Sequence, residues 1–184
     1  MDSLRRLAAE LSIPERTLRR AAAEGLLHGR RLSQRRFHTP LREESYLRSH
    51  WELLRSLRSA LRTEPNVKLA VLFGSAANGE DRTDSDLDIL VVLGDDPVGR
   101  LADLAGRLTY RLGRDAQLVR LRDAERSPVL MAAILQEGRV LVDREGFWTA
   151  LRVSMPRWQR HARRAEAPLA EVMENLDSDE SASA

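Results

Sequence analysis

Two aspartates separated by one residue, Asp86 and Asp88, enter an apolar run and are the side chains of this 184-residue chain best suited to chemistry. In a β-strand, residues i and i+2 project from the same face, so the two carboxylates are predicted to lie side by side. Carboxylates that close repel each other, and a divalent cation between them relieves the repulsion. Because hard oxygen ligands suit Mg²⁺ or Mn²⁺, the pair predicts a site for one of these metals.

A second polar feature, Gly74-Ser75, ends the apolar run that precedes the aspartates. A turn built from glycine and serine offers backbone N–H groups and a hydroxyl, which together can bind phosphate oxygens. Taken singly, a Gly-Ser pair is usually an ordinary turn and Asp-x-Asp a solvated strand edge. Together, between two apolar strands, they indicate metal-dependent nucleotide chemistry.

The stretch 74–88 reads GSAANGEDRTDSDLD and is followed by Ile-Leu-Val-Val. This pattern resembles the nucleotidyltransferase fold of the DNA polymerase beta superfamily, specifically its minimal nucleotidyltransferase branch. The resemblance implies that Ser75 and the nearby backbone bind the triphosphate of an NTP, while Asp86 and Asp88 hold two magnesium ions. Such metals bridge the phosphates and align an attacking hydroxyl for in-line displacement of pyrophosphate. The nucleotide-binding residues implied in this way are Gly74, Ser75, Gly79 and Ser85.

The family pattern also has a third carboxylate, on a later strand, which completes the metal site and can accept the proton of the incoming hydroxyl. When the strand 116–121 is aligned by its apolar residues, this position falls on Gln117. A glutamine oxygen can coordinate a cation weakly, but glutamine cannot act as a general base. Asp115 lies two residues earlier on the same face and would reach the site if the register differed by one pair. Alternatively, Asp115 merely ends the turn after Gly113-Arg114.

The remaining periodicities predict an α+β nucleotidyltransferase fold, a mixed sheet flanked by helices, over about residues 43–146. A stripe of apolar residues spaced by three and four makes 43–62 a long helix, in which Trp51 is read as a core residue rather than a base-stacking platform. The other predicted elements are a strand from Val67, a helix Arg100–Leu112, a strand Ala116–Leu121, a helix Val129–Glu137 and a short strand 140–142.

The N-terminal region differs in charge from the rest, with 14 arginines against 8 acidic residues in positions 1–66. Its first 27 residues look like a helix-turn-helix with Ser12 in the turn, Pro14 at the start of the second helix and Gly25 at its exit. A basic stretch follows, with room for a short wing. Together they favour binding of double-stranded DNA over the alternatives, a small helical hairpin with a solvated arginine face or an RNA-binding head. The arginines expected to contact DNA are Arg16, Arg19, Arg20, Arg30, Arg31, Arg35 and Arg36.

Composition and segment lengths predict how the chain is divided into domains and where the protein resides. We expect a winged or simple helix-turn-helix head over 1–40, a nucleotidyltransferase domain with its leading helix over 41–146, and a helical segment over 147–176 that covers the sheet or mediates homodimerisation. The acidic, hydrophilic residues 177–184 are expected to be disordered. The absence of cysteine excludes disulfides and thiol catalysis, and the apolar runs are too short to span a membrane. With no recognisable signal peptide, a cytoplasmic protein is expected.

Two classes of function fit these features. The first is an enzyme that moves an NMP from an NTP to a hydroxyl of a protein or RNA partner. The resemblance implies a cognate toxin as that partner, since minimal nucleotidyltransferases often act in toxin-antitoxin pairs. The second is a DNA-binding transcriptional regulator whose nucleotidyltransferase domain senses a nucleotide or holds a partner without turnover. Gln117 favours the second class, and the intact Gly-Ser and Asp-x-Asp motifs favour the first.

Overall fold

The N-terminal part of the chain consists of two short helices followed by a pair of short strands. A computed structural model describes residues 3–33 and 37–167 of the protein. Ser12, at φ 54°, lies in the turn between the two helices, and Gly25, at φ 82°, follows the second, as the sequence predicted. Pro14, predicted at the first helical position, is instead the N-cap residue before α2. The elements are α1 (Ser3–Glu10), α2 (Glu15–Ala23), β1 (Arg30–Arg31) and β2 (Phe37–His38), with β1 and β2 antiparallel.

A four-stranded mixed sheet forms the centre of the molecule. Its spatial order is β5-β4-β3-β6, in which β3 pairs antiparallel with both β4 and β6, and β4 pairs parallel with β5. The parallel pair requires a crossover, which a helix supplies. The elements are α3 (Leu41–Arg62), β3 (Val67–Phe73), α4 (Ser75–Asn78), β4 (Leu87–Leu93), α5 (Arg100–Leu112), β5 (Ala116–Arg120), α6 (Leu121–Ala124), α7 (Pro128–Glu137), β6 (Arg139–Asp143) and α8 (Phe147–Val153), and a further helical stretch covers 155–167.

Both faces of this sheet are covered, which explains why its central strands read as nearly continuous apolar runs. Alternate residues of β3 go to opposite sides. Ala70 and Leu72 join the buried cluster that includes α3 and α5, whereas Leu69 and Val71 join a cluster with residues of α7 and α8. The predicted mixed sheet flanked by helices is therefore confirmed, and Trp51, only 6% exposed, is a core residue as expected.

The structure differs from the sequence-based expectations mainly in short elements and in the junction of the N-terminal part. The single-turn helices α4 and α6 were not predicted, and β5 ends at Arg120, one residue early. Leu4, Leu7 and Leu18 belong to the same buried cluster as residues of α3 and of the central sheet, so the N-terminal part shares its core with the rest of the molecule. Residues 177–184 lie outside the described part of the chain. None of the described helices is long and apolar enough to cross a membrane.

A buried ion pair fixes this junction. The guanidinium of Arg139, at the start of β6, donates to both carboxylate oxygens of Glu43 in α3 at 2.7 and 2.9 Å, and both side chains are at most 5% exposed. Arg139 also donates to the carbonyls of Leu26 and Ala77 at 3.3 and 2.6 Å. These contacts satisfy a buried charge and connect α3 and β6 to the chain after α2 and to α4.

Candidate functional site

The candidate site is built where β3 ends and the chain turns sharply at Gly74. This residue has φ 70° and ψ −157°, a backbone conformation open almost only to glycine. A Cβ atom placed on Gly74 would lie 2.6 Å from Oδ2 of Asp88. Glycine is therefore required here for two reasons, the positive φ and the close approach of a carboxylate to the backbone. The turn and Asp88 form one packed unit.

Asp86 and Asp88 lie next to each other at the start of the adjacent strand, β4. Asp88 is the second residue of β4 and pairs with Phe73 on one side and Gln117 on the other, while Asp86 immediately precedes the strand. Burial, and next the charge of Asp86, raise the pKa of Asp88 above its ordinary value of 3.8. The two carboxylates are thus neighbours, as predicted. Their repulsion and the burial of Asp88 disfavour the charged form of Asp88 when no cation is bound.

Gln117 completes this group of side chains. The parallel register of β4 and β5 places it opposite Asp88, and its Nε2 donates a hydrogen bond to Oδ2 of Asp86. Asp115, the alternative third acid, precedes β5 and accepts the amide of Leu87 at 2.7 Å through its backbone carbonyl. The exposed Asp115 borders a small surface cavity with residues such as Asp84 rather than with the aspartate pair. The parallel register therefore places Gln117, and not Asp115, beside the aspartate pair.

These three side chains fit a divalent cation. Two carboxylates and one amide oxygen are hard ligands of the kind that Mg²⁺ accepts. Among the described residues, the Asp88 carboxylate has neither a hydrogen-bond partner nor a salt bridge, and its pKa is raised by burial and then by the charge of Asp86. No group of three or more Asp, Glu, His or Cys side chains at metal-binding geometry occurs in residues 3–33 and 37–167. The site is thus a two-carboxylate site supplemented by Gln117, rather than a three-carboxylate site.

The other residues predicted to bind the nucleotide play different parts. Ser75 begins the single-turn helix α4, and its hydroxyl has no hydrogen-bond partner among the described residues. Ser85 closes the turn before the aspartates, where its Oγ accepts the amide of Arg82 at 2.9 Å. Gly79, at φ 77°, follows α4 and lies against the ring of Tyr46. A Cβ atom placed on Gly79 would lie 3.0 Å from Cδ2 of that ring. Ser75 is therefore available to a ligand, whereas Ser85 and Gly79 shape the loop.

A polar network that sequence reasoning missed holds this loop in place. Asp81, with a side chain only 5% exposed, accepts hydrogen bonds from Nε2 of His50 at 2.8 Å and Nη1 of Arg114 at 2.9 Å. The guanidinium of Arg114 also donates to the carbonyl of Ser85 at 2.6 and 3.1 Å. Burial alone would raise the pKa of Asp81, but the hydrogen bonds and charges of His50 and Arg114 outweigh it and lower that pKa.

The same network continues to the other end of the loop. The imidazole of His50 stacks on the ring of Tyr46, with centroids 4.4 Å apart, and the Tyr46 hydroxyl donates to the carbonyl of Ala76 at 2.9 Å. The guanidinium of Arg139 lies 3.5 Å from the centre of the Tyr46 ring. Burial raises the pKa of the Tyr46 hydroxyl, which stays protonated and keeps this donor role. The signal in the sequence was weak, since His50 and Tyr46 lie one helical turn apart but their partners are distant.

The arginines predicted to bind DNA lie along α2 and the strand pair. Arg16 is exposed and so are Arg30 and Arg31 of β1. Arg19 and Arg20 are not unpaired, because each donates to an acidic residue four positions away on the helix surface, to Glu15 at 2.6 Å and to Glu24 at 2.7 Å respectively. Arg35 and Arg36 lie outside the described residues.

Comparison with known proteins agrees with this geometry. The family model described as Polymerase beta, Nucleotidyltransferase matches residues 55–146. A similar curated protein is the protein adenylyltransferase MntA of Shewanella oneidensis strain MR-1, 38% identical over 79 residues, which are 42% of this chain and 55% of that protein. The chain thus matches only about half the length of this relative.

Two solved structures share the fold. A toxin-antitoxin structure with AMP-PNP superposes with a TM-score of 0.53 at 28% identity, covering 65% of this chain and 98% of that one. A complex of tri-AMPylated Shewanella oneidensis HEPN toxin with MNT antitoxin gives a TM-score of 0.50 at 26% identity, covering 67% and 98%. The family match spans half of the 184 residues and includes the turn at Gly74, both aspartates and Gln117. The chain belongs to the polymerase beta nucleotidyltransferase family.

Proposed function

We propose that this protein transfers a nucleoside monophosphate from an NTP to a hydroxyl group of a partner macromolecule, with Mg²⁺ or Mn²⁺ as the required metal. The observation that carries the proposal is the packing of Asp88 against the turn at Gly74, with Asp86 beside it. This supports the proposal because two carboxylates next to a glycine turn are suited to binding a divalent cation and phosphate oxygens. A structural role alone does not explain why a half-buried carboxylate is kept next to a second one.

In this mechanism the protein mainly positions the reactants. The turn at Gly74 and the hydroxyl of Ser75 would bind the triphosphate, while Asp86 and Asp88 would hold the metal. When bound, the metal neutralises charge on the phosphate oxygens and favours in-line displacement of pyrophosphate. Gln117 orients Asp86 through its hydrogen bond but cannot take the proton of the attacking hydroxyl. We therefore expect turnover to be slower than with a third carboxylate.

The acceptor we propose is a hydroxyl of a cognate toxin protein, with ATP as the nucleotide donor. Support comes from the relative described as a protein adenylyltransferase and from the structurally similar antitoxin in complex with a tri-AMPylated HEPN toxin. RNA is the alternative acceptor, because in-line transfer requires only a hydroxyl in reach of the α-phosphate.

The proposal is tested by incubating the protein with Mg²⁺, NTPs labelled at the α-phosphate, and the products of neighbouring genes as acceptors. We expect label to appear on one acceptor with wild type and to be absent with Asp86→Asn/Asp88→Asn. The matched control, Asp84→Asn/Asp103→Asn, removes two exposed acids outside the site and should retain transfer. Equal transfer by both double variants, or no Mg²⁺-dependent NTP binding by wild type, contradicts the proposal.

A second function, double-stranded DNA binding by the N-terminal part, is favoured by a specific arrangement. We infer that α1, α2 and the β1–β2 pair act as a winged helix-turn-helix, with α2 as the recognition helix. The support is that Leu7, Leu18 and Ala21 are buried, which leaves Arg16 exposed on α2 and Arg31 exposed on β1. If Gln117 prevents catalysis, this function remains and the nucleotidyltransferase domain serves as a nucleotide sensor or partner-binding module.

This second function has its own test. Binding of fluorescent duplex DNA is measured by anisotropy from about 50 to about 300 mM salt, because each neutralised phosphate contributes about 0.9 to the slope of log K against log salt. We expect Arg16→Gln/Arg31→Gln to weaken binding and flatten the slope. Unchanged binding by this variant would rule out α2 and β1 as the DNA-contacting elements.

A further inference from the structure

A large basic groove lies between α2 and the nucleotidyltransferase region, on the side of α2 away from β1. The groove has a volume of about 1020 Å³ and is bordered by α2, the end of α3, β6 and α8. We call it the body groove. It is distinct from the Asp86–Asp88 site, none of whose residues lines it. Five arginines and two acidic residues line it: Arg20, Arg58, Arg62, Arg144, Arg152, Glu24 and Asp143.

The two acids offset only part of the charge of these five arginines. The carboxylate of Glu24 is shared by Arg20 at 2.7 Å, Arg62 at 3.9 Å and Arg58, so one negative charge faces three guanidinium groups. The carboxylate of Asp143 accepts the amides of Phe147 and Trp148 at 3.0 and 3.2 Å and so caps α8. These amides are neutral, so Asp143 keeps its charge, and the lining carries five positive and two negative charges, a net of plus three.

The other arginines of the body groove keep their charge available. Arg144 donates to backbone carbonyls, to Val67 at 2.8 Å and to Arg62 at 3.1 Å, and these neutral acceptors leave its charge in place. Arg152, in the last turn of α8, is exposed. The Nε of Arg58 is buried and has no hydrogen-bond partner in the described chain. The body groove therefore carries an excess of positive charge that favours an anionic ligand.

Helix α2 forms a ridge between the body groove and a second basic cavity. This second cavity, of about 310 Å³, lies between α2 and the strand pair and is lined by Arg19 and Arg31 among others. Ala22 and Ala23 of α2 border both cavities. The helix thus presents small side chains at its C-terminal half, with arginines on either side of it. The ridge is basic on both flanks.

We propose that the body groove extends the DNA footprint of the protein, so that the nucleotidyltransferase body contacts duplex phosphates through Arg62 and Arg152. This inference rests on the proposed DNA binding by α2. A helix lying in the major groove, about 12 Å wide, has a phosphate backbone on each side. The arginines beside β1 would meet one backbone and those of the body groove the other. The deep, narrow major groove of duplex RNA does not admit such a ridge.

The consequence is a functional connection between the two parts of the chain. Arg62 ends α3 and Arg152 lies in the last turn of α8, and both elements pack on the sheet that carries the aspartate pair. DNA bound in this way would lie against the nucleotidyltransferase body rather than against a separate, tethered head. Binding therefore depends on charges outside residues 1–40.

The experiment measures anisotropy of fluorescent duplex DNA against salt for four full-length proteins. These are wild type, the body variant Arg62→Gln/Arg152→Gln, the head variant Arg16→Gln/Arg31→Gln, and a control, Arg122→Gln/Arg126→Gln, which removes two exposed charges that line neither cavity. Because each neutralised phosphate contributes a slope of about 0.9, the body variant should show a slope shallower by roughly 1.8 and bind roughly 10-fold or more weakly at about 0.1 M salt. The control should match wild type, and circular dichroism should show that all four are folded.

The outcomes separate this inference from the proposal on which it rests. If wild type does not bind duplex DNA at low salt, DNA binding itself is refuted and this inference with it. If the head variant has a shallower slope while the body variant matches the control, DNA binding stands and the extended footprint is refuted. If the body variant changes the affinity for single-stranded RNA but not for duplex DNA, the groove serves RNA and the inference is again refuted. Equal decreases in slope for the head and body variants support it.

Discussion

Replacing Gly74 with alanine tests whether the packed unit of turn and carboxylate is the basis of the site. The new Cβ would lie 2.6 Å from Oδ2 of Asp88, a separation that real Cβ atoms do not show. Either Asp88 or the turn must move by about 0.5 to 1 Å, and misplacement on that scale can cost roughly 100-fold in rate. Since Asp88 belongs to the proposed metal site, Gly74→Ala should impair Mg²⁺-dependent nucleotide binding and transfer together.

The free energy of unfolding supplies the second measurable quantity. A non-glycine residue at φ 70° and ψ −157° occupies a conformation that costs on the order of 1–3 kcal/mol. Because the contacting Oδ2 ends a side chain that can rotate, the contact itself adds little, and we expect a decrease of roughly 2–3 kcal/mol in the unfolding free energy from the backbone conformation. Gly113→Ala is a matched control, because Gly113 has φ 66° but an added Cβ would meet nothing within 4 Å. It should decrease the unfolding free energy by only about 1–2 kcal/mol.

The two variants are compared by urea denaturation and by calorimetric titration of ATP in the presence of Mg²⁺. We expect Gly113→Ala to bind nucleotide like wild type, whereas Gly74→Ala, with its displaced carboxylate, should bind at least roughly 10-fold more weakly. The reasoning is refuted if Gly74→Ala is no less stable than Gly113→Ala and binds ATP within about twofold of wild type. Such a result would mean that the loop relaxes without disturbing Asp88.

Three further predictions concern the charges around the site. Gln117→Glu supplies a carboxylate that can accept a proton, so label transfer should rise by roughly 100-fold. Asp88→Asn should raise stability at pH 7, because the pKa of Asp88 is raised in the folded state; the stability of wild type therefore falls as pH rises from 3.8 through that raised pKa. Asp81 is the opposite case, since its pKa is lowered on folding by His50 and Arg114, and its contribution is present above pH 3.8 and disappears as pH falls further. Asp81→Asn should accordingly reduce stability at pH 7 by a margin that shrinks in acid.

Each of these has a control and an opposing result. Gln136→Glu on the exposed surface of α7 controls for added charge, and equal transfer by both glutamate variants would show that position 117 is not near the reacting hydroxyl. For Asp88→Asn, Mg²⁺ should raise the melting temperature of wild type only; an equal rise in both proteins argues against a metal at that carboxylate. For Asp81→Asn, urea denaturation at neutral pH and in acid should give different decreases in stability, and a constant decrease would indicate a packing effect instead.

Local patterns determined much of this protein in advance. The helix 100–112 has its predicted bounds because leucines at helical spacing and a following glycine are both read within one segment. The two apolar strands and the Asp-x-Asp pair at the start of the second were likewise predictable, since side-chain alternation along a strand is a local property. The alignment that put Gln117 beside the aspartates agrees with the parallel pairing of β4 and β5, because apolar residues fix the register.

Other features were decided only by the tertiary structure. The contacts of Asp81 with His50 and Arg114 join residues 31 and 33 positions apart, and no spacing rule connects them. The body groove exists because the end of α2 packs beside β6 and α8, which are distant from it in sequence. Sequence alone therefore predicted which residues would bind metal and phosphate, and the structure shows that these residues lie close together. The packing of distant elements decided which arginines share one groove, because the electrostatic potential at a site depends on the distances to the surrounding charges and not on their separation in sequence.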